Sequence, residues 1–396
     1  MQRVKMGIAR DLYISRRPVA GLAAIGIFWG SFAAWLPEIK TRAGVSDAEF
    51  GVLMMLSAVG GMSAMMAAPW LRRRIGPTIL PLSGLIFAIV ASSPALVHGR
   101  TGLAAALLVI GASMSLCDIL SNIRISDIEA REGRSLMNLN HAIYSLALAA
   151  SAAIMGIFRA VGVPHALAAG LIVLVILGLV IVMRGARPLR DTAEREAEPS
   201  GIGAPWLIVL PGAAILWLSF VVENGVESWG AIHIERTLEV AGGLGSFGPA
   251  MFGLAMGLAR LAGQGLTQTL GEVRLIAFSV CMAAIGTVAL ALAPVIGIAI
   301  FGAAAAGLGV AVVVPTANSL IARTVPAGQR ASAIARAWMM GFTGFFIGPP
   351  LMGLISEAAG LRAAFGLLAC AVVLMLPCLW LLARRLRGRP ATAQRA

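Results

Sequence analysis

Twelve apolar runs, each long enough to cross a hydrocarbon layer, constrain this chain more than any other feature. They lie at about 18–37, 47–69, 77–97, 101–123, 136–158 and 164–183, then at about 206–230, 246–266, 273–293, 295–320, 331–355 and 363–383. A helix needs roughly 20 apolar residues to span a bilayer core of about 30 Å. Inside that core every backbone N–H and C=O must be satisfied within the structure, which selects helices for segments of this length. The chain is 59% hydrophobic and 12% charged, a balance no soluble domain requires. The sequence therefore predicts an all-α membrane protein with twelve transmembrane helices.

The net charge of +13 is distributed by topology. Of the 31 Lys and Arg, 24 fall in alternate loops and the two tails, on one side of the predicted bundle. Under the positive-inside rule both termini are cytoplasmic, and the basic excess faces acidic headgroups. Nucleic acid is not an expected partner. Residues 1–17 are basic and precede an apolar run as a secretory signal would, but that run is of full spanning length and further spans follow, so it reads as a retained first helix. Cys117, Cys281, Cys370 and Cys378 fall in or beside apolar runs without metal-ligand spacing, and read as packing residues.

The one long polar stretch, at 185–205, divides the chain into two six-helix halves, 18–184 and 206–384, with tails at 1–17 and 385–396. The halves repeat. Gly111, Asn122 and Arg134 recur as Gly307, Asn318 and Arg330, each at an offset of 196. Under that offset Asp118 matches Val314 and His141 matches Ala337, so the ionisable groups stand in one half only. Two related six-helix halves suit a transporter that rocks around a midplane site.

Polar groups within the spans are the functional candidates, because hydrocarbon penalises them. Asp118 and Asn122 share a face of the fourth helix with Gly111 and Ser115. Asn138, His141 and Ser145 form a similar stripe on the fifth, which also carries Asn140 and Tyr144. The two stripes can meet in one polar cavity. Alternatively, Arg124 or Arg131 holds Asp118 as a structural staple. In the seventh helix Glu223 and Glu227 are four apart, so mutual repulsion favours proton uptake by one of them, unless both point to headgroups and water. Arg260, inside the eighth helix, either pairs with an acid in a gate or snorkels to headgroups. Trp29 lies nearest midspan and is the candidate for stacking on a solute, whereas Trp35 and Trp229 suit a membrane interface.

Several of these residues carry a resemblance. The chain is identified as a member of the major facilitator superfamily, and within it is similar to the fucose permease and its uncharacterised bacterial inner-membrane relatives. Asp118, Asn122 and Asn138-Leu139 match that permease type, with Asp for its Glu and His141 for its Gln; Pro315-Thr316, Ser319-Leu320 and PPLMGLISEAAG match a second segment. The seventh-helix ENGVESW resembles the relatives' Glu-Gly-x-x-x-Asp-Trp, with Asn224 for Gly and Ser228 for Asp. The superfamily loop after the second helix survives as WLRRRIGPT, with Arg74 and Gly76 kept and Arg73 replacing its Asp.

The expected activity is secondary active transport of a small polar solute, sugar- or polyol-like, by alternating access with proton symport at the bacterial inner membrane. Asp118, His141, Glu223 and Glu227 are the proton-coupling candidates. Trp29, Asn122, Asn138, Tyr144, Asn224 and Asn318 are the substrate candidates, and Arg74, Gly76 and Arg260 the gating ones. Partners are the solute, protons and lipid, and one chain suffices as a monomer. Proton-coupled efflux of an amphipathic compound and a transporter-fold sensor without flux are the alternatives. No cofactor, no metal set and no nucleophile with a paired base stands out, so an enzyme is not expected.

Overall fold

A computed structural model describes residues 2–185 and 206–387; the linker expected at 185–205 lies, beyond its first residue, outside the described residues. The order is α1 (Gln2–Ala43), α2 (Asp47–Ile75), α3 (Ile79–Val90), α4 (Ser93–Leu96), α5 (Gly99–Glu132), α6 (Met137–Ala160) and α7 (His165–Met183). The second half runs α8 (Trp206–Thr237), α9 (Phe247–Leu270), α10 (Glu272–Leu292), α11 (Ile296–Val310), α12 (Val313–Thr324) and α13 (Arg330–Arg387). Because α3 with α4 and α11 with α12 are each one broken span, and α13 holds two, these helices make twelve spans in two six-helix halves. We call the side bearing both described chain ends the terminal face and the opposite side the far face.

Local chemistry sets the boundaries. Ser46 and Glu49 form a reciprocal capping box at the start of α2: the Ser46 hydroxyl accepts from the Glu49 N–H, and the Glu49 carboxylate accepts from the Ser46 N–H. Between α11 and α12 the helix is interrupted at Ala311 and Val312, four and three residues before Pro315, whose ring is incompatible with a regular carbonyl at the preceding turn. Gly360, at φ 82° and ψ 165°, makes the bend that divides α13 into its two spans, a conformation that essentially only glycine adopts.

The first helix starts earlier than its apolar run. At 42 residues α1 is about 63 Å long, roughly twice a bilayer core, so much of the 1–17 tail is helix. Polar pairing holds this extension to α6 and the loop before it: Arg134 meets Asp11 at 2.5 Å, and the Asn140 amide donates to the buried Ser15 hydroxyl at 3.3 Å. In the second half α8 continues to Thr237 rather than ending near 230, which places Glu223 and Glu227 within the helix instead of near its far end.

The internal repeat has a structural counterpart. A Cβ on Gly111 of α5 would collide with the Ser57 carbonyl of α2, and one on Gly307 of α11 would collide with the Phe252 carbonyl of α9. The same glycine thus permits the same close helix crossing in each half. Gly26 and Gly30 of α1 likewise lie against the α6 backbone at Tyr144 and Leu148, which draws α1 onto the helix carrying His141.

Candidate functional site

The site begins where α5 hands over to α6. The Glu129 carboxylate accepts from the backbone N–H of Leu136 at 2.5 Å and of Met137 at 2.8 Å, satisfying orphan donors at the start of α6. This tie fixes α6 relative to α5. On α5, one turn apart, the Asn122 amide donates to the Asp118 Oδ1 at 3.1 Å and to its backbone carbonyl at 3.0 Å. The remaining Asn122 oxygen can only accept, so the 3.0 Å contact to His141 Nε2 is a bond donated by the imidazole. In the neutral imidazole this bond selects the Nε2–H tautomer, with Nδ1 the acceptor.

Arg124 and Arg131 do not staple Asp118. They turn to Asp127, at 4.0 and 2.8 Å, while the Asp118 carboxylate accepts from the Asn122 side chain. The pairing follows helix geometry, since Asp127 lies three residues after Arg124 and four before Arg131.

From His141 the polar groups continue across the molecule. The Ser145 hydroxyl donates to the His141 carbonyl at 3.1 Å and accepts from Arg260 Nη1 at 2.7 Å, while Arg260 Nη2 reaches Glu223 Oε1 at 3.3 Å. Arg260 is on α9 and Glu223 on α8, so the sequence Asp118, Asn122, His141, Ser145, Arg260, Glu223 joins one half to the other. Of the two expectations for Arg260, the structure shows the pairing with an acid, Glu223, at a guanidinium 16% exposed. Tyr144, one residue before Ser145 on α6, is half-buried. Glu227 and Asn224 are buried, and Glu227 Oε1 and Asn224 Oδ1 have no partner in the described structure.

Other candidates stand apart from this line. Asn138 takes no part in it; its neighbour Asn140 is the buried one, bonded to Ser15. Trp29 is half-buried and packs edge-on against Phe28 and Phe32, at 5.8 and 5.7 Å between ring centres. Asn318, on α12, has an unpartnered buried Oδ1 of its own. Arg74 is exposed on the terminal face with its guanidinium 5.9 Å from the Trp70 ring, and Gly76, at φ 71°, terminates α2. Trp35 and Trp229 are not interfacial. Trp229 is fully buried, with Phe50 edge-on at 5.4 Å, and Trp35 is 5% exposed against His165 and Arg159, because α1 and α8 extend past these rings toward the far face.

A second polar assembly, at the far face, was not anticipated from the sequence. Asp47, at the start of α2, accepts from Arg236 of α8 at 2.7 and 3.1 Å, from Ser356 of α13 at 2.5 Å and from Lys40 of α1 at 2.8 Å. Arg159 of α6 binds both oxygens of Glu235 of α8, at 2.7 and 3.1 Å, and also Glu38. Glu357 accepts from the Ala48 N–H at 2.8 Å. The bonds to Arg236, Ser356, Glu235 and Glu357 cross between the halves at the far face, while Lys40 and Glu38 add partners from the first half. Asp118, Asn122, His141 and Tyr144 are half-buried.

The comparisons agree with this architecture. A family model described as Major Facilitator Superfamily matches residues 228–396. The chain is 27% identical over 394 residues to an uncharacterized MFS-type transporter of Yersinia pestis, covering 95% of each. Among solved structures, a D-xylose–proton symporter superposes with a TM-score of 0.74 at 14% identity, over 95% of this chain and 99% of that one. A nucleoside transporter superposes with a TM-score of 0.69 at 13% identity, over 95% and 100%.

Proposed function

We propose, from the premise that this chain is a relative of the Major Facilitator Superfamily transporters, that it moves a small sugar- or polyol-like solute across the bacterial inner membrane in symport with protons. The observation that carries the reading is the polar line from Asp118 to Glu223. It joins the two halves inside the bundle, and a rocking transporter must hold its solute and register its ions between its halves. Charged side chains are retained at such depth when they line a pathway.

The roles follow from the chemistry of each group. Asp118 has an amide but no cation beside it, so gaining a proton removes an uncompensated charge and changes what Asn122 can donate to. The His141 imidazole senses that event through Asn122, while Ser145, bonded to the His141 backbone carbonyl and not to its ring, meets Arg260, which binds Glu223 in the other half; Glu227 is the second acid available for a proton. Asn122, Tyr144 and Asn224 offer hydrogen bonds to solute hydroxyls, with Trp29, Asn138 and Asn318 as outer contacts. Arg260 couples the halves, while Arg74 and Gly76 act at the terminal-face end of α2. The excess of Lys and Arg on the terminal face makes that face cytoplasmic under the positive-inside rule. One chain contains both halves, so a monomer suffices.

The test is proton movement in proteoliposomes, screening sugars, polyols and amphipathic cations against wild type and Asp118→Asn. Symport predicts alkalinisation of the compartment from which the solute departs, lost in the variant. Proton-coupled uptake that persists unchanged in Asp118→Asn would sink the assignment. Proton flow opposite to the solute would turn the reading to efflux, and binding without flux would turn it to a sensor.

A further inference from the structure

One corner of the first half, at the terminal face, carries more positive charge than its acids match. Arg124, near the end of α5, is 6% exposed, yet it makes no hydrogen bond among the described residues, and its ion pair to Asp127 is a long one at 4.0 Å. Asp127 is held more closely by Arg131, at 2.8 and 3.1 Å. A guanidinium is all donor and always charged, and burying it without a close acceptor is costly. Arg124 lacks an anion.

Helix register brings two further guanidiniums to the same corner. α1 runs away from the terminal face and α5 runs toward it, and a Cβ on Gly21 of α1 would collide with the Ser121 hydroxyl of α5. One turn from this contact toward the terminal face lie Arg17 on α1 and Arg124 on α5, each about 4.5–6 Å further along its helix. Arg17 is half-buried and makes no hydrogen bond or ion pair among the described residues. A Cβ on Gly185 would lie 3.2 Å from Arg17 Nη2, so the end of α7, with Arg184 at its C-cap, meets α1 here. Neighbouring acids are engaged elsewhere: Glu129 accepts from Leu136 and Met137, and Asp11 pairs with Arg134. Glu132 lies about two turns, roughly 12 Å, beyond Arg124.

We propose that the phosphate of an anionic phospholipid binds at this corner, between α1, α5 and α7, on Arg17, Arg124 and Arg184. Phosphate oxygens accept hydrogen bonds and bring the missing charge, and a guanidinium fork matches them with two parallel N–H bonds. A lipid fits better than a soluble phosphate because the corner adjoins an apolar flank: Ile181 and Val182, in the last turn of α7, are 63% and 42% exposed, where acyl chains would lie. Basic pockets between transmembrane helices at headgroup level bind such lipids. The lipid supplies Arg124 with the anion that the chain does not, so the packing of α1, α5 and α7 is complete only in a membrane containing anionic lipid.

The test is thermal unfolding of the purified full chain in a neutral detergent, followed by intrinsic fluorescence. It is titrated with phosphatidylglycerol, with phosphatidylcholine and, at matched ionic strength, with inorganic phosphate. Phosphatidylglycerol should raise the melting temperature with a midpoint roughly fivefold or more below that of phosphatidylcholine, and inorganic phosphate should have no comparable effect. Arg124→Gln and Arg17→Gln should each reduce that preference to about twofold or less, while Arg17→Lys, which keeps the charge without the fork, should retain part of it. Arg10→Gln removes an exposed charge elsewhere on α1 and should leave the preference intact. Melting of the lipid-free variants near the wild-type temperature establishes that each is folded; if Arg124→Gln does not fold, Arg17→Gln and Arg184→Gln give the same readout. Equal midpoints for the two lipids in wild type, a preference that survives in Arg17→Gln, or a loss in Arg10→Gln as large as in Arg17→Gln would each overturn the site. Stabilisation by inorganic phosphate equal to that by phosphatidylglycerol would overturn the lipid as its occupant.

Discussion

Replacing Asp47 with Asn should loosen the far face by an amount that can be worked from its contacts. Asp47 binds two groups of the other half, Arg236 and Ser356, and one of its own half, Lys40. Only the first two are lost when the halves part, so the Lys40 pair cancels between the closed and open states. Arg236 is 48% exposed and regains water on release, which limits its pair to about 1–2 kcal/mol. Ser356 is buried, and a hydrogen bond from it to a charged acceptor contributes roughly 1.5 kcal/mol. An asparagine still accepts from both but without its charge, retaining about half of the total. The variant should therefore favour far-face opening by ~1.5 kcal/mol, on the order of a tenfold shift in the equilibrium. The assay is electron paramagnetic resonance with spin labels at Thr41 and Ala358, both exposed on opposite halves, in a background with the four cysteines replaced. A longer-distance population should grow about tenfold in Asp47→Asn and stay near wild type in Lys40→Gln. An unchanged distance distribution in Asp47→Asn, or an equal shift in Lys40→Gln, would refute the reasoning.

Arg260→Gln should leave Glu223 and Glu227 close together without a cation, destabilising the protein by roughly 3 kcal/mol and lowering its melting temperature; adding Glu223→Gln should recover most of the loss. Gly111→Ala and Gly307→Ala should each cost about 1–3 kcal/mol, because the new methyl meets a backbone carbonyl of the facing helix, whereas Gly178→Ala, with open space around it, should be neutral by the same thermal assay. His141→Gln keeps a donor for Asn122 but loses the free ring nitrogen, so solute binding by thermal shift should persist while proton movement falls tenfold or more.

Much of this architecture was legible in the sequence because hydrophobic length and loop charge are local properties. The repeat was legible too: Gly111 and Gly307 meet equivalent carbonyls because helix crossings of that closeness admit only glycine. The Asp118 and His141 stripes came from three- and four-residue spacing, and the structure brings both to Asn122. What escaped were partnerships across long separations. Arg260 and Glu223 were singled out individually, but nothing in one sequence says that residues on different helices share a bond, or that Ser145 links them to the other half. The Asp47 cluster escaped for the same reason, with partners 189 and 309 residues away. Asn138 shows the limit of angular reasoning. Its face was inferred from a run with uncertain ends, and the residue that is buried and bonded is Asn140.

Glycines line the seams between the halves. Gly51 and Gly353 lie against the backbones of α13 and α2, while Gly253 and Gly257 seat the Leu148 and Leu146 side chains of α6, so the helices approach closely across these surfaces. Backbone contact of the first kind can roll with little packing to undo. Resistance to motion is then concentrated in the ionic ring at the far end, part of which already stands in solution through Arg236. Exposed pairs weaken as the screening length falls to about 8 Å at physiological ionic strength and below it at higher salt. The composition of the medium on that side thereby becomes a brake setting: dilute surroundings hold the seam shut, and saline ones let it turn.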